Sequence, residues 1–150
     1  MPIRCEIVSQ DRMVFEGDVD MVIAPSVEGE IGVLPDHAPL IAILDMGFIK
    51  LHCQEEEEVF TVTGGFIEVQ PDIVTVMAEA SEHVEEIDVE RARKAREQAK
   101  KTLEKGPPPD TETYLKIQAA LRRSQLRLEA VEQFRKRGLR ARPPGMGSSE

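Results

Sequence analysis

The chain has 150 residues, 41% hydrophobic and 31% charged, with 28 acidic against 19 basic side chains and a net charge of −9. That balance excludes a disordered chain and suits one ordinary domain, or a small core with an appendage. Five Phe, one Tyr and no Trp leave too little aromatic surface for a base-stacking or sugar platform. The longest apolar run, residues 38–44, contains Pro39 and falls far short of the ~20 residues that cross a bilayer.

Ile3, Cys5 and Ile7 alternate with Arg4, Glu6 and Val8, which is strand spacing. Residues 9–11 make a turn, and 12–16 a short strand with Met13 and Phe15 on one side, broken by Gly17. Residues 20–24 are nearly all apolar, as in a strand covered on both faces. Pro25, Ser26, Glu28 and Gly29 read as a loop. Gly29 and Gly32 bracket a short strand edge, and Pro35 and Pro39 frame a rigid Pro-Asp-His-Ala-Pro loop that cannot join a central ladder.

Residues 40–44 resume as a strand, 45–47 turn, and 48–53 place Ile49, Leu51 and Cys53 on one face. Residues 54–58, with four successive glutamates, read as a solvated hairpin tip. A strand at 59–63, a kink at Gly64-Gly65, a strand at 66–69, a turn at 70–72 and a strand at 73–78 close the series. About nine short strands with frequent turns predict an antiparallel β-sandwich or flattened barrel. Cys5 and Cys53, both in strand-like stretches, read as free core thiols.

After Glu82 the period changes. Val89, Ala92, Ala99 and Leu103 share a helical face, with Ala95 near its edge. Asp88 suits the N-cap, by its side-chain acceptor and its charge at the positive end of the dipole. Gly106 ends this helix and Pro107-Pro108-Pro109 forbids its continuation. Asp110 or Thr111 caps a second helix, whose seam of Ile117, Leu121, Ser124, Leu128 and Val131 is a narrow coiled-coil-like stripe.

The predicted class is therefore α+β: a sandwich over residues 1–86, an antiparallel helical hairpin over 87–137, and a Pro/Gly/Ser-rich, disordered tail over 138–150. Charge follows the same division. Residues 1–86 hold 3 basic and 19 acidic side chains, a net of −16, and residues 87–150 hold 16 and 9, a net of +7. The first helix offers a partner only Val89, Leu103 and small alanines, so its attachment to the sandwich should be weak. A detachable basic arm on a rigid acidic base is the expectation.

No catalytic constellation is visible. His37, His52 and His83 are scattered, no His/Cys cluster has metal-ligand spacing, and no glycine-rich loop leads from a strand into a helix. His37, in its proline-framed loop, reads as a structural or interface residue in preference to a general base. Arg123 and Arg127 share a face of the second helix and, with Arg91, could meet phosphates, while Glu82 and Asp88 accept from amino or hydroxyl groups. On residue types alone the same set reads first as a solvated basic face with Asp88 as a plain cap.

GEIGVLPDHAPL (29–40), VTGGFIEVQPDIVTVMAEAS (62–81) and IDVERARKA (87–95) resemble the epsilon subunit of F-type ATP synthases, over about residues 2–135. The resemblance implies a non-catalytic subunit of the rotary central stalk. Its sandwich would join the gamma subunit to the c-subunit ring, so coupling proton-driven rotation to ATP synthesis. Its hairpin would fold down, or extend among the catalytic beta and alpha subunits and inhibit hydrolysis. Carried over, His37 falls in the stretch that faces the c ring.

Ile87, Asp88, Arg91 and Ala92 match an Ile/Leu-Asp-x-x-Arg-Ala motif that binds ATP in some bacterial members. Glu82 matches an upstream acid and Arg123 and Arg127 the second-helix pair, while Gln98 stands where a further arginine is expected. No cofactor is implied beyond a regulatory ATP, and neither nucleic acid nor direct membrane insertion. The implied place is peripheral, on the cytoplasmic face of a bacterial plasma membrane in preference to a plastid thylakoid. The competing readings are a stand-alone protein-binding regulator, a nucleic-acid module using the basic helices, and an enzyme of sandwich fold.

Overall fold

A computed structural model describes residues 2–135. These form two compact units, the first ending at Val84 and the second starting at Glu85. The tail expected over 138–150 lies outside the described residues, as do the last two residues of the expected hairpin.

The first unit is built from ten strands: β1 (Ile3–Val8), β2 (Met13–Val19), β3 (Met21–Ser26), β4 (Gly29–Val33), β5 (Leu40–Leu44), β6 (Gly47–Cys53), β7 (Glu56–Val62), β8 (Gly65–Val69), β9 (Ile73–Ala78) and β10 (Ser81–His83). The pairing path runs β10-β7-β6-β3-β5-β8-β9-β1-β2, with β4 on the side of β3. A single bridge, Ser26 to Leu44, joins β3 to β5. At that bridge the sheet folds over into two layers. Ile3, Cys5, Ile7, Ile67, Val74 and Val76 of one layer share a core with Val22, Ile49, Leu51, Phe60 and Val62 of the other. The Phe15 and Phe60 rings meet edge-on at 5.7 Å.

The antiparallel sandwich is as expected, with one exception in the pairing: β1 and β9 run parallel. Several local expectations are corrected. Gly17 does not break β2, which continues to Val19; a Cβ there would come within 3.3 Å of the Phe15 ring, so the glycine makes room for an aromatic inside the strand. Pro25 and Ser26 belong to β3 rather than to a loop. Proline is tolerated there because β6 pairs with β3 only as far as Ile23. Burial along β3 alternates, so only one of its faces is in the core.

Of the glutamate run, Glu56, Glu57 and Glu58 are strand residues paired with Cys53, His52 and Leu51. The turn is only Gln54 and Glu55, with Gln54 at φ 60°. The expectation weighed charge and missed that an exposed strand end needs no apolar alternation. Strand β10 escaped it too, because three half-buried residues carry no period. Gly65 is required where it stands: at φ 121° its missing Cβ would lie 2.1 Å from the Met77 carbonyl oxygen.

The second unit holds α1 (Val89–Glu104) and α2 (Thr111–Ala130), which continues into one π turn, Val131–Arg135. Asp88 is the N-cap of α1 and accepts from the Arg91 amide at 3.1 Å. Asp110 is the N-cap of α2, accepting from the Glu112 amide and the Thr113 hydroxyl. Those two hydrogen bonds lower its carboxyl pKa below the usual range. Between the helices Gly106 takes φ 101°, ahead of the three prolines. In α1 only Ala92 and Ala99 are buried. In α2 the buried residues are Ser124, Leu126 and Ala130. Leu126 lies about 200° round the helix from Ser124, so the single narrow stripe expected for α2 is corrected to burial on two sides.

Candidate functional site

Two surfaces stand out, one on each unit. On the sandwich, cross-strand partners fall on one face of the sheet. Ile43 pairs with Phe66 and Phe66 with Met77. Met77 pairs with Val8, and Val8 with Met13. This is an unbroken apolar row across five strands. Ile43 is 54% exposed, Phe66 50%, Met77 47% and Met13 46%. The next row down reads Ile41, Glu68, Thr75, Glu6 and Glu16, and Arg4 is ion-paired with Glu6 and Glu16 beside it. An apolar line with a charged border marks a protein-docking face better than scattered surface hydrophobics do.

The His37 loop belongs to the same unit and is held rather than loose. The Asp36 amide donates to the Pro71 carbonyl at 3.0 Å and the His37 amide to the Leu34 carbonyl at 3.2 Å. His37 Nδ1 lies 2.7 Å from its neighbour Ala38's carbonyl oxygen. His37 is half-buried, and Leu34 in the same loop is 56% exposed.

The remaining histidines are engaged with carboxylates. His52 lies 3.3 Å from Glu57 and His83 lies 3.1 Å from Glu58, with the His83 ring edge-on to Phe60. Both cysteines are free. Burial, then Cys53 and Glu6, push the Cys5 thiol up to about 12. Burial, then Glu58, Asp20 and Glu56, raise Cys53. Neither is a poised nucleophile. Among the described residues no group of three or more His, Cys, Asp or Glu could hold a metal ion.

The expected nucleotide residues divide between the units. Glu82 is half-buried on β10, where its amide donates to Thr61 Oγ1 at 3.3 Å. The others lie in the helical unit. Ile87 and Ala92 are buried, and the Ile87 carbonyl accepts from Arg135 Nη2 at 3.1 Å. Asp88 and Arg91 are exposed and joined through the cap. Arg123 is exposed and Arg127 half-buried on α2. A groove of about 590 Å³ in this unit is lined by a different basic set, Arg93, Arg96 and Arg135. The sequence reading did not single these out. Their signal was the i, i+4, i+7 spacing of Val89, Arg93 and Arg96 on one side of α1.

The family model for the "ATP synthase, Delta/Epsilon chain, beta-sandwich domain" matches residues 2–84, and that for the "long alpha-helix domain" of the same chain matches 85–132. The ATP synthase epsilon chain of Halalkalibacterium halodurans is 44% identical over 125 residues, covering 83% of this chain and 93% of that one. The epsilon chain of Dehalococcoides mccartyi is 40% identical over 134 residues, covering 89% and 95%. Among solved structures, a chain of the Euglena gracilis mitochondrial ATP synthase, in its OSCP/F1/c-ring part, superposes with a TM-score of 0.71 at 26% identity, covering 88% of this chain and 82% of that one.

Proposed function

The chain belongs to the ATP synthase delta/epsilon chain family, and from that premise we propose how its two units divide the work. It is a non-catalytic, epsilon-type subunit of the F-type ATP synthase central stalk, and ATP synthesis and proton transport are activities of the complex it serves. No helix among the described residues is long and apolar enough to cross a membrane.

Our reading gives the sandwich the fixed role. The apolar row from Ile43 through Phe66 and Met77 to Met13 carries it. A contiguous exposed apolar row of this kind marks an interaction site, and the gamma subunit is the partner we assign. The His37 loop would meet the c ring, with the subunit peripheral on the cytoplasmic face of the membrane. The helical unit would move, extending toward the catalytic beta and alpha subunits to slow hydrolysis. Its thin apolar content, Ala92 and Ala99 on α1, supports a helix pair that can change partners.

ATP is the regulatory ligand of this reading, engaged by Asp88, Arg91, Arg123 and Arg127. A ligand at ten times its dissociation constant stabilises the form it binds by ~1.4 kcal/mol, enough to tilt a weakly held helix pair. Calorimetric titration with MgATP tests this: saturable heat that is lost in Arg123→Ala and Arg127→Ala is expected, and unchanged heat in both variants rejects the site.

The docking role is tested by adding the chain to the F1 assembly that lacks it. Phe66→Asp places a charge in the middle of the row and should weaken retention by about 100-fold, since a buried unpaired charge costs several kcal/mol. Retention equal to the wild type would remove the row from the interface.

A further inference from the structure

We propose that the groove lined by Arg93, Arg96 and Arg135 binds an organic phosphate, its anion on the arginines and its apolar body on Val89, Leu128 and Val131. This goes beyond the ATP reading, because Arg91, Arg123 and Arg127 are not among the groove's lining residues.

The volume, about 590 Å³, is that of a small-molecule site. Apolar and cationic residues line it together, and only one lining side chain, Glu132, is acidic. Guanidinium forks match phosphate oxygens bidentately, which an ammonium does not. The three arginines are prepared to different degrees. Arg135 is already placed: its Nη2 donates to the Ile87 carbonyl at 3.1 Å and its Nε lies 3.7 Å from Glu85. Arg96 Nε is buried without a hydrogen-bond partner, since the Glu97 carboxylate is 3.7 Å away. A ligand oxygen would satisfy that donor. Arg93 is paired with Glu90 at 3.0 Å, but the two side chains are 58% and 72% exposed. Such a pair contributes little and exchanges readily for a dianion.

The apolar floor makes the class an organic phosphate rather than free phosphate. Val89 lies one turn before Arg93 on α1, and Leu128 and Val131 lie two turns and one turn before Arg135 along α2 and its π turn. A planar apolar body between the helices would cover these residues while its phosphate reaches the guanidiniums.

The test is isothermal titration of the full chain with 1-naphthyl phosphate and, separately, with inorganic phosphate. Saturable binding of the naphthyl compound, about tenfold tighter than inorganic phosphate, is expected. Arg93→Gln and Arg96→Gln should each weaken it about tenfold, the loss of one charged hydrogen-bonding group. Arg123→Ala should change it less than about twofold. Arg93→Gln is exposed and leaves folding intact, so it decides the matter if Arg96→Gln is destabilised. No saturation by about 5 mM, equal affinity for inorganic phosphate, or an Arg123→Ala loss matching that of Arg93→Gln would overturn the site. Failure of the ATP reading is separable: MgATP heat would then be unchanged by Arg123→Ala and Arg127→Ala, while the naphthyl phosphate results above would stand.

Discussion

Phe60, Ile3, Ile7, Ile49, Leu51 and Ile67 are all essentially sealed from water inside the sandwich. The helical hairpin's fully or nearly buried residues are Ala92, Ala99, Ser124, Leu126 and Ala130, with Ile87 at its entry. A large aliphatic or aromatic side chain contributes ~1.5–3 kcal/mol on burial and an alanine far less. One half of this molecule is therefore held by bulk, the other by caps, helix propensity and a few small contacts. The difference suits the division of work proposed above. A stalk component must transmit torque without deforming, and a regulatory element must change its contacts at a cost that a ligand or a change of partner can meet.

Removing bulk from the strong half should have the largest effect. Phe60→Ala deletes a ring that packs on Phe15 and His83 and should cost about 3–5 kcal/mol in chemical denaturation. A loss under about 1 kcal/mol would show that the sandwich is not held by this core. Alkali sharpens the same contrast. The folded chain keeps the Cys5 proton to about pH 12, while an unburied thiol releases it from about 9. The stability this contributes is whole below pH 9 and falls as the pH rises toward 12, by about 2–3 kcal/mol at pH 11. In Cys5→Ala the decline between pH 8 and 11 should be smaller by about that amount. Equal slopes would mean the thiol is not sequestered. The smallest effect belongs to the weak half. Asp88→Ala removes the α1 cap and should cost the helical unit about 1 kcal/mol, read as faster amide exchange in the first turn of α1 with the strands unchanged.

The fold was legible where one face of an element is buried and the other is not. Ile3, Cys5 and Ile7 announced β1, and residues 40–44 are the strand that their apolar run predicts. The cap Asp88 was equally plain, because a side-chain acceptor before a helical period has few other uses, and the second cap was narrowed to Asp110 or Thr111, of which the structure has Asp110. Legibility failed where backbone bonding acts without a side-chain signature. Glu56, Glu57 and Glu58 form a ladder with β6 despite their charge, and Gly17 continues a strand because a neighbouring ring needs the space. The Ile43–Phe66–Met77 row could not be read in advance, since its members are distant in sequence and only strand register aligns them. For the helical unit, the sequence pointed to arginines by motif, whereas the groove is lined by arginines chosen by the pitch of two packed helices.

Native-state hydrogen exchange on the isolated full chain tests the central claim most directly. Amides of β1, β6, β8 and β9 should exchange only through global unfolding, and those of α1 and α2 through openings at least about 2 kcal/mol cheaper. Equal opening free energies across strands and helices would contradict the account of a rigid unit joined to one that moves.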